Sequence, residues 1–154
     1  MKKLLIIPAI IGLLTTGAFA ADKKVAADDD KNANVSYAVI NQFKTDYRGA
    51  ENVTWTVTES TQKAEFTLEG VKMTAFYNLN GEYLGTTRQV AYKAISARAQ
   101  KEIATRYKAY TVGQVIELNT GDGIQHFVDL KNDKSEILVR VAPTSAVYYF
   151  QQVK

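Results

Sequence analysis

A lone histidine, His126, is the first residue to weigh, because imidazole is the side chain best suited to proton transfer near neutral pH. Asp129 or Ser135, close by in sequence, could serve as its catalytic partner. Strand alternation opposes that reading. It sets His126 beside Val128 and Leu130 on an apolar face, where a histidine is expected as a hydrogen-bonded core residue. Glu65 and Glu117 fall in different halves of the chain, and nothing in the sequence brings them to the spacing of an acid–base pair. The adjacent carboxylates Asp28 to Asp30 point apart, whereas a calcium loop sets its ligands at alternate positions around a glycine. No helix is expected after Gly121-Asp122-Gly123, so it is a turn and not a phosphate loop. The chain contains no cysteine, which excludes disulfides, thiol nucleophiles, thiolate metal sites and lipoprotein acylation. No catalytic residue, metal or cofactor is expected.

Composition narrows the class further. Of 154 residues, the first 20 read as a secretory signal peptide. Lys2 and Lys3 supply the positive start, Leu4 to Leu14 an apolar run too short to span a membrane, and Ala18-Phe19-Ala20 the cleavage site. Residues 21–34 are polar and without period, as a solvated tether would be. Two of the 19 basic residues sit in the signal, so the mature chain is close to neutral and has no basic stripe for nucleic acid. The expected product is a periplasmic or secreted domain, residues 35–154, with no stable membrane insertion.

Two helical segments stand out. Val39, Ile40, Phe43 and Tyr47 form an apolar stripe over 36–48, with Gly49 at the C-terminal position. Ile95, Ala99, Ile103 and Tyr107 form another over 92–107. Phe43/Tyr47 and Ile103/Tyr107 are offset by 60 residues, and strand-like runs follow each helix. This predicts an α+β fold of two tandem α-β4 repeats, about 35–90 and 91–154. One antiparallel sheet would carry both helices on one face.

Hairpin signals at Glu69-Gly70 and Asn80-Gly81 set a register in the first repeat. Leu68 should oppose Val71, Phe66 Met73, Ala64 Ala75, and Tyr77 Leu84. A turn at Ser60-Thr61 should set Trp55 against Phe66. The helix-covered face then holds Trp55, Ala64, Phe66, Met73, Ala75, Tyr77 and Leu84. The open face holds Lys72, Thr74, Phe76, Tyr83 and Thr87. In the second repeat a four-residue loop, Pro143 to Ala146, would place Val139, Val141, Tyr148 and Phe150 on the core face. Arg140, Tyr149 and Phe127 would share the open one.

The run Phe76-Tyr77-Asn78-Leu79-Asn80-Gly81-Glu82-Tyr83-Leu84-Gly85-Thr86-Thr87, with the preceding Val53-Thr54-Trp55, resembles the signature of a known family. These are the PepSY-like, beta-lactamase-inhibitor-like proteins exported by Bacteroidetes. Asn78 and Asn80 stand where members often have Asp, and Ala91-Tyr92-Lys93 where they often have Leu-Pro. The inhibitors' disulfides are absent. The resemblance implies a concave sheet that binds a protein. Exposed aromatics on that face, Phe76, Tyr83, Phe127 and Tyr149, would be the anchors, with Lys72 and Arg140 giving polar specificity. The partner would be an envelope protein or peptide. The rival expectation is an envelope module that holds a small ligand between helices and sheet.

Overall fold

The computed structural model describes residues 35–154. The expected signal peptide and tether, with Asp28 to Asp30, lie outside the described residues. Helix α1 (Tyr37–Asp46) is followed by β1 (Glu51–Val57), β2 (Thr61–Leu68), β3 (Val71–Asn78) and β4 (Tyr83–Val90). A 3₁₀ turn (Tyr92–Ala94) leads into helix α2 (Ala97–Arg106), then β5 (Thr111–Thr120), β6 (Gly123–Lys131), β7 (Glu136–Val141) and β8 (Val147–Gln152). The eight strands form one antiparallel sheet in sequence order.

The helices start where serine can cap them. Ser36 and Ser96 each accept a hydrogen bond from the backbone three residues on, at Val39 and Ala99. The cap at Ser96 shortens the second helix relative to the predicted 92–107. Ile95 is extended, with ψ near 154°, and separates the helix from the 3₁₀ turn. Tyr47 and Tyr107 close the helices, their N–H groups bonding to Phe43 and Ile103.

Each helix has its own apolar core on the same face of the sheet. Val39 and Phe43 of α1 pack with Trp55, Ala64, Phe66, Ala75 and Tyr77. Phe43 meets both Trp55 and Phe66 edge-on, at 5.3 and 4.9 Å between ring centroids. Ala99 and Ile103 of α2 pack with Val115, Val128, Leu130, Val139, Val141 and Val147. Between the two cores runs a polar seam of Arg88, Glu117 and His126.

The register holds in places and shifts in others. Leu68, Phe66 and Ala64 oppose Val71, Met73 and Ala75 as expected. Trp55 opposes Ala64, not Phe66, because the turn is Glu59–Ser60, closed by the Thr58 N–H on the Thr61 carbonyl at 2.8 Å. A shift of two residues preserves the face. The β3–β4 turn has three residues. Gly81 N–H bonds Asn78 and Gly81 takes φ +86°, a conformation glycine adopts freely. Tyr77 therefore opposes Tyr83, a bulge follows, and Phe76 opposes Gly85. The β7–β8 loop also has three residues, Pro143 to Ser145, with Ser145 at φ +68°. Val141 consequently opposes Val147, and Tyr148 moves to the face away from the helices.

Candidate functional site

The face opposite the helices can be read across the strands. Ile116, Phe127, Arg140 and Tyr148 are successive partners in one row, and Thr74, Thr87, Leu118 and Gln125 in the next. Lys72 precedes Thr74 by two residues on β3 and so shares that face. Its middle is apolar. Phe76, Leu118, Phe127 and Leu138 form a third cluster, with Leu84, Phe150 and Val153 packed against it. Phe127 and Phe150 meet edge-on at 5.1 Å. Gly85 lies in this cluster's path: a Cβ there would stand 2.9 Å from the Asn119 carbonyl and 3.1 Å from Leu118.

The predicted binding residues are therefore sorted differently. Phe76 and Phe127 share the expected face but are each only 1% exposed, because neighbouring large side chains close around them. They are the floor of the face and not its protruding anchors. Tyr83 lies on the helix side. The three-residue turn pairs it with Tyr77, the rings 5.9 Å apart, and its hydroxyl lies 2.7 Å from Thr86 Oγ1. The Tyr47 hydroxyl bonds the same Thr86 oxygen. Leu84, expected on the helix side, takes the place intended for Tyr83. Tyr149 opposes Val139 of the helix-side core, so Tyr148 is the tyrosine beside Arg140. The Arg140 guanidinium lies 5.2 Å from the Tyr148 ring centroid. Phe150, expected in the helix-side core, alternates with Tyr148 and so moves with it to the Phe127 cluster. Lys72 is exposed on the face as expected. Each displaced residue sits at a three-residue turn or a bulge, where alternation alone carries no information.

The seam between the helix-side cores was not foreseen as a unit. Arg88, Glu117 and His126 are neighbours on β4, β5 and β6. Arg88 Nε donates to Glu117 Oε1 at 2.8 Å, and His126 Nε2 faces Glu117 Oε2 at 3.4 Å. Burial lowers the His126 pKa below the usual imidazole value, an effect the Glu117 carboxylate partly opposes. His126 stands on the helix side, as alternation predicts, but its neighbour is Glu117 and neither Asp129 nor Ser135. Asp129 points to the other face and pairs with Lys131, while Ser135 bonds Asn132 and Tyr110. Glu65 and Glu117 lie on opposite faces. Among the described residues no hydroxyl bonds His126 Nε2, so no serine is paired with it as nucleophile to base. Among the described residues no group of three metal-binding side chains occurs.

No family model matches the chain, and neither does any curated protein. Solved structures do resemble it. A DUF2874-family protein from Bacteroides uniformis superposes with TM-score 0.70 at 16% identity, covering 77% of this chain and 90% of that one. A BLIP-like protein from Bacteroides fragilis gives 0.69 at 15%, covering 82% and 92%. A candidate periplasmic protein from Bacteroides eggerthii gives 0.69 at 13%, covering 77% and 88%. These neighbours match the beta-lactamase-inhibitor-like Bacteroidetes family that the hairpin resembles. The likeness is one of fold: α+β, eight antiparallel strands and two helices. No described helix is long and apolar enough to cross a membrane.

Proposed function

We propose that this chain is an exported, non-enzymatic binding module that holds an envelope protein or peptide against the sheet face opposite its helices. The observation that carries this reading is the apolar cluster on that face, flanked by Lys72 and Arg140. A sheet whose helices cover one face needs no such cluster on the other for its own alternation. Phe76 and Phe127 shape the floor, while Leu84, Phe150 and Tyr148 offer the accessible apolar surface. Neither Lys72 nor Arg140 is in an ion pair among the described residues, which leaves both free to meet a partner's carboxylates.

Export rests on the signal-like first 20 residues, and a candidate periplasmic protein among the neighbours fits the same address. Matching caps at Ser36 and Ser96, and matching helix ends at Tyr47 and Tyr107, support two α-β4 repeats with an offset of 60 residues. The BLIP-like neighbour supports an inhibitor-like mode, in which the face occludes a partner's surface.

The test is a photoreactive amino acid placed at Tyr148 in the full chain, expressed with export in its host, beside the same group at Tyr37. Tyr37 is 78% exposed on the first helix. A partner trapped from Tyr148 and lost on Lys72→Glu/Arg140→Glu is the expected result. Equal trapping from both positions would move the site off this face.

A second reading, a small-ligand module, has one cleft in its favour. Glu117 and His126 of the seam line a cleft of about 420 Å³ together with Ser96, Ile124, Pro143 and Ser145. Calorimetric titration of envelope metabolites, repeated on His126→Gln, separates the two readings.

A further inference from the structure

From the geometry of the first edge of the sheet we infer a second binding site. It takes an extended peptide with alternating apolar side chains and an acidic group at one end.

Strand β1 is an edge strand, paired on one side only, with β2. The Thr58 N–H bonds to the Thr61 carbonyl across the turn, so by antiparallel alternation Thr56 and Thr54 direct their backbone groups to β2. Trp55 and Val57 direct theirs away from the sheet, where no described strand meets them. From Val53 to Thr58 the strand carries neither charge nor proline, the usual protections of an edge. The irregularity between Glu51 and Thr54, with Asn52 at φ +54°, limits the free ladder to about four residues.

A cleft of about 440 Å³ adjoins this edge, bounded by Val53 and Trp55 of the strand, by Ile40 and Phe43 of α1 and by its C-cap Tyr47. A peptide residue paired opposite Trp55 would share its face and so enter this cleft. Gly49, Ala50, Lys44 and Arg48 complete its wall, which holds two cations and no acidic residue. Neither cation is in an ion pair among the described residues. An unpaired ladder, an apolar slot under it and unopposed cations at its rim together define strand addition with side-chain selection. The occupant complementary in charge is a peptide that ends in a carboxylate-bearing residue.

The probe is a fluorescein-labelled heptapeptide of alternating valine and threonine ending in aspartate, beside a twin ending in lysine. Anisotropy with the full processed chain should show the aspartate peptide binding about ten-fold tighter than the lysine one. Lys44→Glu/Arg48→Glu, both exposed, one in the last turn of α1 and one just after it, should reverse that order. Val57→Pro removes an outward N–H that an edge strand can spare, and should weaken both peptides about ten-fold with the circular dichroism unchanged. Equal affinity for the twins, no binding of either by about 1 mM, or an unreversed order in the double variant would each overturn the site. If Val57→Pro fails to fold, the reversal still decides.

Discussion

Glu117 is bonded to Arg88 and only faces His126, whose burial gives the imidazole a measurable role. Burial holds its pKa below 6.5 in the folded chain, so the unfolded chain takes up the proton first as pH falls. Stability is therefore full above about 6.5 and declines below it, until the folded chain protonates as well. The melting temperature of the wild type should fall more between pH 7 and pH 5 than that of His126→Gln. Equal slopes would remove the effect from this residue. Asp129 contributes with the opposite sign, since burial raises its carboxyl pKa, and the paired comparison cancels it. A second residue-scale test concerns Gly113. A Cβ there would stand 2.5 Å from Asp129 Oδ2. Gly113→Ala should cost about 1–3 kcal/mol in urea unfolding, and much less when Asp129→Ala is already present. The sequence made the side of His126 legible, because β6 alternates without interruption from Gln125 to Leu130. Its partner was not legible, since Glu117 meets it only once the β5–β6 register is known.

At the scale of elements, turns decided what alternation left open. Glu69-Gly70 was readable because both residues adopt positive φ, giving a two-residue loop and the expected pairing of Leu68 with Val71. Glu69 is not the residue that turn favours. Glu69→Asn should stabilise the fold by about 0.5–1 kcal/mol, seen as a higher urea midpoint at unchanged slope. Asn80-Gly81 carries the same signal but closes a three-residue loop, because only Gly81 takes the left-handed conformation. That one residue exchanges the faces of Tyr83 and Leu84, which removes Tyr83 from the face opposite the helices. The β7–β8 loop repeated the lesson at Ser145, substituting Tyr148 for Tyr149. The aromatics of the candidate face were thus legible as a group, and misplaced wherever a turn length or a bulge intervened.

Across the whole molecule, two helix-capped cores share one sheet and are divided by the polar seam of Arg88, Glu117 and His126. Trp55, the single tryptophan, reports only on the α1 core. Ile103→Ala empties part of the α2 core and should cost about 2–5 kcal/mol. Because β4 and β5 join the halves in one ladder, Trp55 fluorescence and far-ultraviolet circular dichroism should lose stability together in this variant. A fluorescence midpoint left in place would make the halves independent. The uninterrupted succession of strand partners also governs how the molecule comes into being. A polypeptide delivered head first, from a ribosome or a translocation pore, can zip each hairpin as it emerges. No early segment has to wait, exposed, for a distant one to slot in beside it. Among the described strands only the link from β4 to β5 bridges a helix, so that pairing closes the longest loop between neighbouring strands.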